Sequence, residues 1–415
     1  MRILHVSPYY YPSVGGLQRH IRALSERLAA RGHDVTVVTS RLAGGASKRL
    51  DTTLPDRETV GGVEVHRYNG LRPVTSWIAR VPGTYRVLGP DKYRALVDGP
   101  WWPGALSFAA RLRPDIIMVM SAEHEALLLQ FSWLARRLHV PLAVRPLLHT
   151  EHAWSRSPLV LRLLSRCDAV IASTPYERAY VERHCLPAPR AFAVPVGVDP
   201  AAFAQRDGRA VRAKYGLGDR VVVGYVARLQ VDKGVTRLLD AMRRVWRDAP
   251  DVLVLLAGHR FAPGSEADRP VQQMLDALSP EERARVTLTG GFADAEKASI
   301  FDACDVFAMP SIAESFGGVY LEAWLCGKPV VGSRISAVSC VVDEGVDGLL
   351  AAPDDAGELA GAIMRLVGDP GLRRRMGEHG RQKTMQRYAW ERVTEGVESI
   401  YRDLVAGSAG TKATR

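Results

Sequence analysis

Residues 306–332 run Val306-Phe-Ala-Met-Pro-Ser-Ile-Ala-Glu-Ser-Phe-Gly-Gly-Val-Tyr-Leu-Glu-Ala-Trp-Leu-Cys-Gly-Lys-Pro-Val-Val-Gly332. Val306–Met309 is an apolar run of strand length, the chain then turns and enters a helix near Gly317, and Val330–Gly332 begins a second strand. A strand, a crossover helix and another strand in one short span is the signature of a parallel βαβ unit. The pattern repeats upstream. Val221–Ala227 is a β-branched strand, followed by a loop with Arg228 and Lys233 and a helix whose Leu238, Leu239, Met242 and Trp246 face inward. Val252–Ala257 and Val286–Thr289 continue the series.

The first half has the same rhythm. Ile3–Val6 reads as a buried strand and residues 7–16 as a loop rich in Pro, Gly and Tyr. Leu17, Ile21, Leu24 and Leu28 share one helix face, Gly32 stops that helix, and Val35–Thr39 is the next strand. Further strands are expected at Val63–Arg67, Asp115–Met120, Leu142–Arg145 and Ala169–Ala172. The segment Pro195-Val-Gly-Val-Asp-Pro200 reads as a linker between two doubly wound sheets. The expected division is 1–196 and 197–386, with a closing helix over about 387–415 returning to the first domain through Val393, Val397, Ile400 and Leu404.

Composition excludes several classes. The chain of 415 residues is 47% hydrophobic and 24% charged, too apolar for a disordered protein. No apolar run approaches the roughly 20 residues of a membrane span, and the first residues enter a strand pattern rather than a leader. Five cysteines without a Cys-x-x-Cys pair disfavour a disulfide framework or a zinc site and suit a reducing cytoplasm. The net charge of +10 belongs to the first half: residues 1–200 hold 26 basic against 16 acidic side chains, and residues 201–415 hold 29 of each. Such a half suits peripheral contact with an anionic membrane or an acidic substrate, or equally an Arg-rich composition that adds only solvated charge; no motif or dense basic tract points to nucleic acid.

In doubly wound sheets ligands bind beyond the carboxyl ends of the strands, often at a helix N-terminus. The loops after strands therefore carry the candidates. Glycines at 317 and 318 let backbone N–H groups approach a ligand, while Glu314 in the turn and Glu322 in the helix can together grip vicinal hydroxyls, or equally serve as a helix cap and a surface glutamate. Arg228 and Lys233 share one loop and are suited to a departing diphosphate. Lys297 and Asp302 fall on a helix and read as solvated.

Taken whole, the 306–332 stretch resembles the retaining glycosyltransferases of family 4, two-domain enzymes of the GT-B fold. Their Glu-x7-Glu hallmark is matched at Glu314, Phe316, Gly317, Glu322, Ala323, Gly327, Lys328, Pro329, Val330 and Val331. The resemblance implies two Rossmann-like domains facing across a cleft and transfer of a sugar from a UDP- or GDP-linked donor with retention. It implies that Glu322 binds the ribose, that Glu314 and backbone groups over Gly317, Gly318 and Val319 hold the sugar beside Phe316, and that Arg228 and Lys233 carry the diphosphate. Gly15 and Gly16 match the family's N-terminal glycine loop, and His149 matches a histidine beside the anomeric carbon. Glu123 and His124, after another strand, are candidates for meeting the acceptor. With no Asp-x-Asp triplet in the sequence, no metal cofactor is expected. A GT-B phosphorylase, an epimerase and a two-lobed sugar-nucleotide-binding protein share the same architecture.

Two stretches depart from the family pattern. Ile335-Ser-Ala-Val-Ser-Cys340 stands where a Gly-Gly-x-Pro-Glu turn is usual, leaving donor preference open. Residues 71–108, with Trp77, Tyr85, Tyr93, Trp101 and Trp102, read equally as an acceptor-shaping insertion, a membrane-facing segment or a packed loop.

Overall fold

In the computed structural model, residues 1–13, 15–42, 51–69, 89, 93, 99–262 and 264–413 are described. By internal contacts they divide into Met1–Val196 with Glu391–Arg415, and Gly197–Trp390.

The first unit is built on strands β1 (Arg2–Val6), β2 (Asp34–Ser40), β3 (Arg57–Val60), β4 (Val63–Tyr68), β5 (Ile116–Met120), β6 (Leu142–Arg145), β7 (Ala169–Ala172) and β8 (Ala191–Ala193). They form one sheet in the order β3-β4-β2-β1-β5-β6-β7-β8, parallel except for the β3–β4 hairpin. Burial on both faces explains the unbroken apolar run of β5 and the mostly apolar β1, in which only His5 among the buried residues is polar. The helix Gly16–Ala30 buries Ile21, Leu24 and Leu28, with Leu17 half-buried at its start. Trp102 is not a loop residue facing outward. It is 1% exposed and belongs to the apolar core with Phe131, Leu134 and Val160, and Pro103–Leu112 is a helix. Trp77 and Tyr85 lie outside the described residues. The last helix, Trp390–Ala413, buries Val393, Val397, Ile400 and Leu404. Tyr401 on that helix donates or accepts a hydrogen bond with His5 Nε2 at 3.1 Å, inside the first unit.

The second unit is a six-stranded parallel sheet of β9 (Val222–Val226), β10 (Leu253–Ala257), β11 (Val286–Gly290), β12 (Val306–Met309), β13 (Val330–Ser333) and β14 (Gly348–Ala351). Its order is β11-β10-β9-β12-β13-β14, so the chain starts in the middle, winds one way and then the other. The helix Val235–Asp248 buries Leu238, Leu239, Met242 and Trp246 as the sequence pattern requires. All five cysteines are free thiols.

No helix among the described residues is long and apolar enough to cross a membrane.

Candidate active site

The strand order of the second unit reverses between β9 and β12, and the loops leaving these two neighbours carry most of the candidate residues. At such a switch point adjacent loops diverge and leave room for a ligand. Here the loops are bonded together at their base. Ile312 N donates to Asp232 O at 2.9 Å, and Lys233 Nζ donates to Glu314 Oε1 at 2.7 Å and to Ala313 O at 3.5 Å. Gly234 makes this approach possible: its φ is +81°, and a Cβ there would stand 2.0 Å from Pro310 O. Both side chains of the Lys233–Glu314 pair are largely buried, at 15% and 11% exposure. Arg228 is on the same loop but exposed; among the described residues its guanidinium makes no hydrogen bond or ion pair, leaving it able to meet an anion.

Two buried tyrosines frame the pair. Tyr225 in β9 donates to Arg228 O at 2.8 Å, and Tyr320 donates to Met309 O at 2.8 Å, fixing the exits of β9 and β12. Burial first, and the Glu314 charge among the further causes, raise both phenols above their ordinary range, so they remain neutral. Reading the sequence picked out neither tyrosine, since an aromatic residue on an apolar strand or helix looks like core.

The helix Gly318–Leu325 begins at Gly317, whose φ of +89° caps it without a side chain. Its first N–H groups, on Gly318 and Val319, are therefore left to a ligand or solvent. Phe316 is turned inward, 3% exposed and edge-on to Tyr388, so it anchors the loop by packing.

Glu322 lies one turn into that helix, and its surroundings correct the expectation for Lys297. Lys297 is buried rather than solvated, and its Nζ makes a short ion pair with Glu322 Oε1. The pairing arises because the helix Lys297–Ala303 packs against Gly318–Leu325. Asp302 is likewise structural: it accepts from Gly208 N at 3.0 Å and from Arg206 Nε at 3.1 Å, while its carbonyl accepts from Lys328 Nζ at 2.8 Å.

In the first unit the reversal falls between β1 and β5. The loop after β1 leads to Gly15 and Gly16 at an N-terminus with no side-chain cap. It is tied down by Arg67, which is buried, pairs with Glu58 and donates to Tyr11 O at 2.7 Å. Tyr9 meets His124 edge-on at 5.5 Å between ring centres. Glu123 is exposed and His124 half-buried at the start of the helix Glu125–Leu138. His149, in the loop after β6, is half-buried, with His152 and Trp154 at 5.6 and 6.5 Å. Ser121 and Leu147, directly after β5 and β6, hold φ of +77° and +54°, conformations that cost a non-glycine residue about 1–3 kcal/mol. Nothing in the residue types signals that strain.

Two α/β units, each with chemistry gathered at its switch point, define a GT-B type enzyme framework. The comparisons agree unit by unit: residues 14–202 match the Glycosyltransferase Family 4 model and residues 208–383 the Glycosyl transferases group 1 model. A D-inositol 3-phosphate glycosyltransferase of Saccharomonospora viridis is 31% identical over 98% of this chain and 94% of its own. Among solved structures, sucrose-phosphate synthase of Thermosynechococcus elongatus superposes with TM-score 0.75 at 23% identity, covering 98% of this chain and 100% of that one. Anabaena HepE in complex with UDP-glucose superposes with TM-score 0.74 at 20% identity, covering 97% and 100%. The chain belongs to glycosyltransferase family 4 and has the GT-B fold.

Proposed function

We propose that this glycosyltransferase takes its sugar from a nucleoside diphosphate donor, UDP- or GDP-linked, and transfers it to a hydroxyl acceptor with retention at the anomeric carbon and without a metal cofactor. The observation that carries the reading is the Lys233–Glu314 pair at the β9/β12 switch point, beside the uncapped N–H groups of Gly318 and Val319. The UDP and UDP-glucose complexes of HepE support a nucleotide-sugar donor.

In this reading Glu322 binds the ribose hydroxyls, Glu314 and the amides over Gly317–Val319 hold the sugar, and Lys233 and Arg228 face the diphosphate. As the bond between the anomeric carbon and the phosphate oxygen lengthens, negative charge grows on the phosphate and the sugar takes on oxocarbenium character. Fixed cations and amide dipoles stabilise that charge without reorganising. The acceptor oxygen then bonds to the anomeric carbon from the face the phosphate leaves, and its proton passes to the departing phosphate oxygen. No carboxylate is assigned as a covalent nucleophile. Gly15 and Gly16 adjoin the donor, His149 the anomeric carbon, and Glu123 and His124 the acceptor. The basic composition of the first unit supports an anionic acceptor or peripheral contact with an anionic membrane.

The test is incubation with UDP-, GDP-, ADP- and TDP-sugars and candidate acceptors in EDTA. Acceptor-dependent release of the nucleoside diphosphate is expected, with an α-linked product by its anomeric proton coupling. A β-linked product, dependence on added Mg²⁺ or Mn²⁺, or turnover that requires inorganic phosphate would each overturn the corresponding part.

A further inference from the structure

Glu322 has two carboxylate oxygens in different situations. Oε1 is taken by Lys297 Nζ, whereas Oε2 is buried with no hydrogen-bond partner among the described residues. A buried carboxylate oxygen left unsatisfied costs free energy and calls for a reason. The neighbouring charged groups are engaged elsewhere: Asp302, on the Lys297 helix, by Arg206 and Gly208, and Lys328, beyond the Glu322 helix, by the Asp302 carbonyl. Lysine differs from arginine here, because a compact ammonium engages a single oxygen where a planar fork would span both. Cys326, at the end of the Glu322 helix, donates from Sγ to Ala298 O at 3.6 Å, tying the helices where the ion pair sits.

We infer that Lys297 is the positioning residue of the nucleoside-binding carboxylate: it fixes Glu322 through Oε1 and leaves the unpartnered Oε2 to accept from a ribose hydroxyl of the donor. This rests on the assignment of Glu322 to the ribose. Lys297 acts through Glu322 rather than on the reacting groups, so its effect falls on donor binding more than on turnover.

Calorimetry on the full chain tests it, using whichever of UDP, GDP or ADP binds most tightly and the 2′-deoxy form of the same nucleotide. The wild type is expected to prefer the ribonucleotide by roughly tenfold, the worth of one charge-assisted hydrogen bond. Glu322→Gln abolishes that preference. Lys297→Met reduces it to within about twofold and raises donor KM by more than it lowers kcat; combining the two substitutions adds little. Lys297→Gln, which keeps a donor without the charge, guards against a folding defect and gives an intermediate ratio. Because the readout is a ratio of two affinities, a partly unfolded sample does not distort it. If Glu322→Gln loses the preference while both Lys297 variants keep it, Lys297 is structural and the inference fails, with the ribose assignment intact. If Glu322→Gln keeps the preference, the ribose assignment fails first. A lowered melting temperature with an unchanged ratio also overturns the inference.

Discussion

The two switch points of this molecule are built from different materials. In the second unit, one buried ion pair joins the loops after β9 and β12, Lys233 with Glu314, and a second joins the helix after β12 to its neighbour, Lys297 with Glu322. In the first, the ends of β1, β5 and β6 carry glycines, tyrosine and histidines, with Glu123 exposed and strain held in the backbone at Ser121 and Leu147; its ion pair, Arg67 with Glu58, braces the loop after β1 from β4 and β3. Paired charges suit a ligand portion that is itself charged, such as a diphosphate. Such pairs do not by themselves argue for stability, because desolvation offsets much of their attraction. Neutral polar groups on loops suit a partner whose chemistry varies from one enzyme to the next.

The largest expected effect tests the charged side. Lys233→Ala lowers kcat by a factor of about 10² to 10³, or roughly 2–4 kcal/mol of transition-state stabilisation. The substitution also leaves Glu314 buried without its partner, and that alone is damaging. Comparison of the double variant with Glu314→Gln alone separates the two causes, because both lack the Glu314 charge and differ only at Lys233. Turnover in the double variant far below that of Glu314→Gln assigns Lys233 to the diphosphate. Equal turnover in the two would make Lys233 a counter-ion for Glu314 and dissolve the contrast between the units.

Most of the charged side was legible in the sequence because its residues lie in loops directly after apolar strands. Arg228 and Lys233 are found by locating a strand and reading on, whereas Glu314 and Glu322, the latter one turn into the next helix, stand out through the Glu-x7-Glu resemblance. Their pairing was not legible. Lys233 and Glu314 are 81 positions apart, and Lys297 and Glu322 are 25 apart on different helices, so only packing decides which charge meets which. Lys297 looked solvated because a lysine opening a helix usually is. The edge strands β3 and β8 escaped for a related reason: both are short and partly exposed, so neither shows a continuous apolar run. Tyr401 meets His5 across 396 positions, a contact that periodicity on one helix cannot specify.

Glycines give a second, smaller test. Gly234→Ala places a Cβ against Pro310 O with φ at +81°, and the loops after β9 and β12 have to part. A loss of about 2–3 kcal/mol is expected from the left-handed backbone and the clash together. Gly16→Ala in the first unit meets nothing within 4 Å and is expected to stay within about 0.5 kcal/mol of wild type. Chemical denaturation with hydrogen exchange on the β9 and β12 loops checks both. Equal effects would show that the second unit's site is no more rigidly built than the first.

The last effect is one of pH, small within any tenth of a pH unit, and separates the units by their interiors. Burial pushes His5 down to about 3, and burial, with Arg145 and His5 as further causes, holds His20 well below the ordinary 6.5. His5 is further locked between Ser25 Oγ at 2.7 Å and the Tyr401 hydroxyl at 3.1 Å. Both rings are neutral when folded and protonated when unfolded in mild acid, so unfolding takes up protons below pH 6.5 and stability falls as pH falls. Each ring contributes a slope of up to about 1.4 kcal/mol per pH unit. Glu398 adds a later loss. Burial works to raise its pKa, but hydrogen bonds from His33 and Arg31 prevail and hold it at about 2, so its contribution is complete above the ordinary carboxylate value of 4.5 and disappears as pH drops toward 2. Glu177 works the other way: burial raises it, and its native protonation softens the acid loss near and above 4.5. Protection against hydrogen exchange, corrected for the intrinsic rate at each pH from 7 to 5, is therefore expected to fall in β1 and the helices Gly16–Ala30 and Trp390–Ala413 before it does in β9–β14. His5→Gln is expected to flatten that early limb, because the glutamine amide does not titrate, and an unchanged pH slope in that variant would move the acid sensitivity away from the histidine core.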